Sequence, residues 1–478
     1  MKLFNSLTRQ VEEFKPIKPP HVGMYTCGMT VYDYAHIGHG RKYVTDDLVR
    51  RLLTYNGFEV NHVQNVTDVG HLVSDEDAGE DKMEKGARKA GKTVWEVAEF
   101  FTKDFYQTMD SLNILRPTVV CKATDHIAEQ IDLVKKLLDK GFAYETREAL
   151  YFDINHFPRY DSLFGLKRLL NNQVAVRDEI QTGEFKKNPA DFALWFKAVG
   201  RFSDHAMQWD SPWGKGFPGW HIECSAMAMK YLGESFDIHT GGEDHLTVHH
   251  PNEIAQSEAA SGKPFARYWM HTAFLQVDGT KMSKSLGNYF RVADVLERGF
   301  SPMALRYLYL MAQYRSPQNF TWSTLAAAQT TYDKLTEFVE KVARAKIQDS
   351  RTELSKEKLK KLDDYKSRFL AALEEDLGTP QALAVMWEML KSNIPDYDKR
   401  DTLLDWDQIL GLRLSETGGG VEVPNEVREL AAKRQSLRDA GKYVEADSVR
   451  MEIEGRGWEV KDTQVGPQLK KFQITNIK

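Results

Sequence analysis

The stretch VGMYTCGMTVYDYAHIGH, residues 22–39, decides the fold class of this chain. Val22 to Thr30 predicts a short buried strand, and Gly38 to Tyr55 predicts a helix that follows it. Glu59 to Val66 predicts a second strand. The order strand, helix, strand is typical of an α/β fold with a parallel sheet, which binds nucleotides at the carboxyl ends of its strands.

Two short signatures in this frame indicate chemistry on a nucleotide. His36-Ile37-Gly38-His39 opens the predicted helix, and Lys281-Met282-Ser283-Lys284-Ser285 lies far downstream. Imidazole donors and the backbone of a glycine can contact a triphosphate. A mobile loop with two lysines can close over the same phosphates. We therefore predict four catalytic residues, namely His36, His39, Lys281 and Lys284. Without the lysines, the histidine pair would be interpreted as helix-capping or core residues.

Several further segments carry a resemblance to a known family. They are Tyr25 to Gly28, Thr30 to Asp33, Asp191 to Trp195, Ser211 to Gly214, Pro218 to Met227, Phe236 to His239, and Asn252 to Gln256. With the two signatures they resemble the class I aminoacyl-tRNA synthetases, and the cysteine-bearing segments are similar to the cysteinyl-tRNA synthetase family. The resemblance implies a Rossmann-like parallel-sheet catalytic domain that is split by a connective insertion and followed by a helical bundle.

The resemblance also implies a zinc site made of Cys27, Cys224, His249 and Glu253. Two sulfurs, one imidazole and one carboxylate suit Zn²⁺, and the last two residues, four apart, would share a helix face. Because Pro251 is tolerated only in a first turn, we expect that helix to begin close to His249. In the family this one zinc binds the substrate thiol. By spacing alone, an isolated cysteine would instead be a packed thiol.

The other predicted contacts concern ATP, bound with Mg²⁺, and the amino acid. Gly38 would let the nucleotide approach the backbone, Gly241 and Gly242 could do the same at adenine and ribose, and Asp244 could accept from a ribose hydroxyl. The resemblance implies that Trp220 and His239 wall the cysteine pocket. Their alternative interpretation is an ordinary core aromatic and a hydrogen-bonded histidine.

Composition narrows the class of protein independently of any resemblance. The chain has 478 residues, a formal net charge of -5 and three cysteines far apart in sequence, so bulk attraction to RNA and a disulfide framework are both excluded. The first twenty residues lack the apolar run of a signal peptide, and no stretch is apolar enough to span a bilayer. We expect a cytoplasmic protein without membrane contact, and we favour a monomer.

The predicted organisation has six parts. They are the first half of the catalytic domain (1–116), the connective insertion (117–215), the second half with the lysine loop (216–295), a stem-contact region (296–330), a helical bundle (331–415) and a C-terminal anticodon-binding module (421–478). The sheet is expected to resume near Trp220. Gly418-Gly419-Gly420 predicts the linker before the last part.

The C-terminal module is the predicted RNA contact. From Asn425 to Lys478 it carries eleven Lys and Arg against nine Asp and Glu, a balance of +2 in an acidic chain. Trp458 beside Arg456 could stack an unpaired base. By composition alone, a solvated helical hairpin would be preferred.

The resemblance implies cysteine–tRNA ligation with L-cysteine, ATP and tRNA(Cys) as partners: cysteine is activated to cysteinyl-adenylate and then transferred to the 3′ end of the tRNA. Two alternatives differ from it in testable ways. A ligase that joins cysteine to an amino sugar would share the catalytic half but end without an anticodon module. A catalytically silent RNA-binding relative would lack the phosphate signatures or the ligand set.

Overall fold

A computed structural model of the chain describes residues 1–70, 82–165, 186–283, 286–345, 354–418, 425–456, 458–463 and 466–471. Lys284 and the linker residues Gly419 and Gly420 lie outside these described residues. The chain forms two compact units. One comprises Met1–Leu335 and Asp349–Arg413, and the other comprises Thr336–Gln348 and Leu414–Lys478. None of the helices in the described part combines the length and the apolar character that crossing a membrane requires.

The strands of the described residues are β1 (Lys2–Asn5), β2 (Gln10–Glu13), β3 (His21–Thr26), β4 (Glu59–Val66), β5 (Val119–Lys122), β6 (Ala143–Glu145), β7 (Ala149–Phe152), β8 (Phe192–Lys197), β9 (Gly216–Pro218), β10 (Phe236–Gly242), β11 (Ala266–Thr272), β12 (Leu275–Val277), β13 (Thr280–Lys281), β14 (Gln318–Phe320), β15 (Trp458–Thr463) and β16 (Gly466–Lys471).

The α-helices of the same residues are α1 (Ile37–Tyr55), α2 (Lys82–Ala90), α3 (Val94–Ser111), α4 (Ile127–Asp139), α5 (Trp220–Leu232), α6 (His249–Ser261), α7 (Val292–Glu297), α8 (Pro302–Leu310), α9 (Trp322–Arg344), α10 (Lys356–Glu374), α11 (Thr379–Leu390), α12 (Asp396–Leu410), α13 (Leu414–Gly418), α14 (Asn425–Asp439) and α15 (Tyr443–Gly455).

The centre of the first unit is a parallel five-stranded sheet with the order β11-β10-β3-β4-β5. β3 lies in the middle, and its last residue, Thr26, is paired with Thr240 of β10 and Gln64 of β4. The predicted parallel sheet is therefore confirmed. At the carboxyl edge the chain leaving β3 stays beside β10, where the Cys27 N–H donates to the Thr240 carbonyl at 3.2 Å, because adjacent parallel strands end at the same edge.

Helix α1 begins where the first signature predicts. His36 is its N-cap, and the rings of His36 and His39 each accept a hydrogen bond from the other residue's backbone N–H. This reciprocal cap satisfies two N–H groups that a helix end would otherwise leave unpaired. The helix therefore presents its first turn, with both histidines, at the sheet edge.

The insertion between the halves of the sheet is built from α4 and an antiparallel sheet with the order β6-β7-β8-β9. Strand β5 belongs to the parallel sheet, so the first half extends beyond residue 116, where we expected it to end. The expectation that the sheet resumes near Trp220 is wrong. Trp220 instead begins helix α5, whose Ala, Met and Leu residues favour a helix, and the sheet resumes at Phe236.

The second unit contains α14, α15 and the antiparallel hairpin β15–β16. Trp458 is only 4% exposed and packs in a core with Val427, Ala431, Val449 and Ile453. The expectation that Trp458 stacks an unpaired base is therefore wrong, since its ring is buried in the core of the second unit. Tyr443, at the start of α15, is 60% exposed instead.

Candidate active site

One cavity of about 420 Å³ opens at the carboxyl edge of the parallel sheet. The predicted residues in its wall are Cys27, His36, Gly38, His39, Trp220, Gly242, Asp244 and Lys281. Of the other predicted residues, Cys224, His239, Gly241, His249 and Glu253 belong to the same region but are not among the described lining residues. The fold therefore brings the two distant signatures and one proposed metal ligand to a single opening.

The four predicted metal ligands converge behind this wall. The Cys27 Sγ atom lies 4.0 Å from Cys224 Sγ and 3.6 Å from Glu253 Oε1. His249 Nε2 lies 3.0 Å from the same Glu253 oxygen. Cys27 follows β3, Cys224 lies on α5, and α6 begins at His249, as Pro251 predicts. Four donor atoms of this kind around one point fit a tetrahedral Zn²⁺ site.

All four side chains of this cluster are almost fully buried, with none above 3% exposed, so burial acts on the charge of each of them. Burial raises the pKa of the Cys27 thiol, whereas a hydrogen bond with Cys27 lowers the pKa of Cys224. Burial opposes charge on His249 and Glu253 as well, but attraction to Glu253 raises the pKa of His249 to about 10, and attraction first to His239 and then to His249 lowers the pKa of Glu253. Only Cys224 and Glu253 are shifted toward the anionic form, so a bound Zn²⁺ would displace the protons of Cys27 and His249.

The histidine pair forms the opposite end of the cavity. The rings of His36 and His39 stack with centroids 3.6 Å apart, and the Nδ1 atom of each accepts a backbone N–H. Burial lowers the pKa of both imidazoles, that of His36 to about 4. Both rings are therefore neutral near pH 7, with the proton on Nε2, which makes Nε2 the donor available to a ligand.

Lys281 reaches the cavity on a short hairpin. It lies in β13, opposite Gln276 of β12, and the Asn288 side chain donates to its backbone carbonyl at 3.2 Å. The Lys281 side chain is exposed at the cavity mouth. Its partner in the signature, Lys284, lies outside the described residues, so its role stays a prediction.

The comparisons with known proteins agree with this geometry. Residues 13–330 match the catalytic domain of the class I (C) tRNA synthetases. Cysteine–tRNA ligase 1 of Burkholderia lata is 46% identical over 471 residues, which cover 98% of this chain and 96% of that protein. Cysteine–tRNA ligase of Treponema denticola is 42% identical over 482 residues, with 96% of each chain covered.

The chain belongs to the cysteine–tRNA ligase family. Solved structures of other class I synthetases share the fold. Methionyl-tRNA synthetase of Mycobacterium tuberculosis, in complex with methionyl-adenylate, has a TM-score of 0.59 at 16% identity, over 83% of this chain and 93% of that one. A LeuRS–tRNA ternary complex from Agrobacterium radiobacter K84 has a TM-score of 0.61 at 12% identity, over 86% of each chain.

Sequence reasoning placed His239 in the cysteine pocket but missed His250, which lies with it around the ligands of this ligase-family chain. His250 Nε2 lies 3.4 Å from Cys27 Sγ, and His239 Nε2 lies 2.9 Å from Glu253 Oε2. These two residues form a second, overlapping group with Cys27 and Glu253. The neighbouring His249-His250 pair was the available signal. His239 stacks on Trp269 with centroids 4.5 Å apart, behind the cavity wall.

Lys42 was missed as well. Its Nζ atom donates to the Cys27 carbonyl at 2.8 Å and lies 3.0 Å from Asp46 Oδ2. The Tyr43 hydroxyl donates to the same carbonyl at 3.2 Å. Lys42 and Tyr43, both on α1, therefore hold the backbone of Cys27 in place. The helix that begins at the histidine signature thus also positions one of the predicted metal ligands.

Proposed function

We propose that the protein activates L-cysteine with ATP to cysteinyl-adenylate and transfers it to the 3′ end of tRNA(Cys). The observation that carries this proposal is the shared cavity, whose wall contains Cys27 of the ligand cluster together with His36, His39 and Lys281. A thiol held at one end and a triphosphate at the other would meet within it. The family relatives that match nearly the whole chain support the same reaction.

We propose that cysteine is selected by its thiol. Cys27, Cys224, His249 and Glu253 would hold Zn²⁺, and the substrate thiolate would enter as a further ligand, forming a bond that a serine hydroxyl does not match. A pocket that relied on size alone would seldom reject such an isostere by more than about a hundredfold. Trp220, whose ring lies 4.6 Å from that of His249, would close the wall beside the substrate side chain, and the deeper His239 would orient Glu253.

At the other end, the chain would supply hydrogen-bond donors and positive charge for ATP bound with Mg²⁺. His36 and His39 would donate from Nε2, while Lys281 and Lys284 would neutralise charge that develops on the α-phosphate and the leaving pyrophosphate. The backbone at Gly38, Gly241 and Gly242 would allow close approach, and Asp244 would accept from the ribose. Attack by the cysteine carboxylate on the α-phosphorus then forms the adenylate and releases pyrophosphate.

The second unit would recognise the RNA. Tyr443 is exposed and follows Lys442, and the Arg438 guanidinium lies 5.9 Å from its ring centroid. A ring flanked by cations can stack an unpaired base and meet phosphates, which the buried Trp458 cannot do. We assign Tyr443 to the anticodon contact within the proposed module 421–478.

Cysteine-dependent ATP–pyrophosphate exchange, measured beside tRNA charging, tests the proposal. We expect exchange with cysteine and none with serine. Truncation after Gly420 should leave exchange nearly intact and sharply reduce charging, with an effect that depends on salt. Equal charging by the truncated protein would reopen the amino-sugar ligase, and the absence of any exchange would favour the silent RNA-binding relative.

A further inference from the structure

Arg41 is a buried arginine whose charge is met by backbone carbonyls. It lies in the second turn of α1 and is 1% exposed. Its guanidinium donates through one terminal nitrogen to the carbonyls of Ala273 at 2.7 Å and Phe274 at 3.0 Å, and through the other to those of Gln313 at 3.2 Å and Ser316 at 2.7 Å. Burial lowers the pKa of Arg41 to about 10, so the group stays charged near pH 7.

A cation buried in this way contributes geometry rather than stability. A buried guanidinium costs free energy unless its N–H groups are bonded, and an apolar side chain would fill the same space at a lower cost. An arginine differs from such a side chain because its planar fork holds several acceptors at fixed positions, which a lysine ammonium does not do. The places of the four carbonyls therefore indicate what Arg41 does.

Three of these carbonyls directly precede two strands of the small sheet that carries Lys281. Ala273 and Phe274 come immediately before β12, and Ser316 lies two residues before β14. Strand β12 pairs in parallel with β14 and antiparallel with β13, which contains Lys281. Arg41 therefore holds the edge of this sheet at which β12 and β14 both begin.

The start of α1 is also attached to the chain that follows the lysine signature. The Ile37 N–H donates to the Phe290 carbonyl at 2.9 Å, and His36 forms an antiparallel bridge with Arg291. The segment with the lysine signature is thus tied to the helix with the histidine signature on both sides. The spacing between the signatures depends on these attachments, and a substitution of the Arg41 side chain removes those on the first side.

We propose that Arg41 is a positioning residue for cysteine activation, which sets the spacing between the histidine signature and Lys281; this inference rests on the proposed function. Arg41 is not among the described residues that line the active-site cavity, so it acts through the residues that it holds. A transition state that is stabilised from two sides loses much of that stabilisation when one side moves. A displacement of about 1 Å, caused far from the chemistry, can cost about a hundredfold in rate.

The test uses the full-length, zinc-loaded enzyme in ATP–pyrophosphate exchange without tRNA. Arg41→Met should lower kcat about a hundredfold and leave the zinc content and the KM for cysteine within about twofold, because the metal end keeps its geometry. Arg41→Lys should lose about tenfold in kcat, because one ammonium does not bond all four carbonyls at once.

Arg306→Met is the matched control. Arg306 is 0% exposed, and its guanidinium donates to the carbonyls of Leu112, Asn113 and Leu410 and to the Asp47 carboxylate. None of these four acceptors is among the described residues that line the cavity. The control should therefore lower stability and leave kcat within about twofold.

Two further readouts separate positioning from a general loss of stability. In a Lys281→Ala background, the cost of Arg41→Met in kcat should fall from about a hundredfold to about tenfold or less, because a group that acts through Lys281 loses that effect with it. In the absence of substrates, the backbone amides of residues 275–281 should exchange hydrogen faster in Arg41→Met than in Arg306→Met.

An unchanged kcat in both Arg41→Met and Arg41→Lys would overturn the proposal. So would additive effects of Arg41→Met and Lys281→Ala, or an equal loss of kcat in Arg306→Met, since each would indicate a purely structural role. If Arg41→Met does not fold, Arg41→Lys supports the same comparisons. A wild type without exchange would refute the proposed function, and hydrogen exchange would still decide whether Arg41 holds the hairpin.

Discussion

The two ends of the cavity differ in how the protein holds them. At the metal end, Cys27, Cys224, His249 and Glu253 are almost fully buried and contact one another. At the phosphate end, Lys281 is exposed on a two-residue strand whose loop continues into residues outside the described ones. Selection of an amino acid requires fixed geometry, whereas a leaving pyrophosphate requires groups that can close and open.

This difference separates two kinds of defect. Changes at the buried end should remove metal and substrate binding together, because every donor there is enclosed by others. Changes at the exposed end should slow the chemical step and leave the fold and cysteine binding intact, since an exposed lysine supports little packing. Variants at each end test whether these two kinds of defect are separate, from the largest expected effect to the smallest.

The largest effect is expected at the metal end. Cys224→Ser should lower zinc content and reduce cysteine activation about a thousandfold or more, because a hydroxyl replaces a soft sulfur donor. Metal analysis of the purified protein, beside pyrophosphate exchange, measures both. Cys121→Ser is the matched control, since Cys121 is a buried free cysteine outside the metal groups of the described residues. A zinc-free variant with full activity would contradict the assignment.

In the lysine signature, Lys284→Ala should lower kcat and kcat/KM for adenylate formation about a hundredfold and leave cysteine affinity unchanged. The charge of Lys284 is needed most as the pyrophosphate leaves, so the ground state loses little. Single-turnover measurement of adenylate formation decides the question. Lys263→Ala, on a surface lysine paired with Glu234, controls for the loss of a cation. A normal rate with a raised KM for cysteine would show that the two ends are not separate.

Elements that depend on local sequence could be predicted, whereas contacts between distant segments could not. Helix α1 and strand β4 follow from local periodicity and capping, and they are where the pattern put them. The burial of Trp458 could not be predicted, because it depends on Val449 and Ile453 one helix away. Helix α5 was missed because a short apolar run fits a strand or a helix equally well.

The residues of the candidate site likewise divide into those with a sequence motif and those brought together only by packing. Cys27, Cys224, His249 and Glu253 were found through motifs, and the structure brings all four together. His239 was predicted through its motif, whereas the contact between His250 and His271 has no motif of its own, since it forms only when α6 and β11 pack. Partners that depend on tertiary packing leave no local spacing to detect.

A smaller effect should tell which of the two overlapping groups holds the metal. We expect His249→Ala to lose zinc, and His250→Ala to retain it with an affinity about tenfold lower, because His250 supports the ligands without replacing one. Chelator competition measures both affinities, and Co²⁺ substitution counts the bound sulfurs from the thiolate charge-transfer band. Retention by His249→Ala of a single-thiolate Co²⁺ spectrum would instead assign the ion to the group with His239.

The smallest effect compares a matched pair of glycines, one at each end. A Cβ atom at Gly241 would lie 2.6 Å from His250 Cε1 and 2.7 Å from His245 Nδ1, two atoms of rings packed among other imidazoles. A Cβ atom at Gly38 would lie 2.8 Å from His36 Cε1, at a ring that borders the open cavity, and 3.7 Å from the end of Met282. The His250 ring is fully buried and cannot move aside, whereas the partly buried His36 ring can move toward the cavity if its cap hydrogen bond is lost.

Gly241→Ala should therefore lower the free energy of unfolding by about 1–3 kcal/mol, the usual cost of overpacking. Gly38→Ala should lower the free energy of unfolding by less than Gly241→Ala does, because only a cap hydrogen bond is at risk, and it should raise the KM for ATP about fivefold, because the new methyl group occupies the surface that the nucleotide approaches. Denaturant unfolding and pyrophosphate exchange on both variants measure the two effects. If Gly38→Ala unfolded as easily as Gly241→Ala, the phosphate end would be as tightly packed as the metal end.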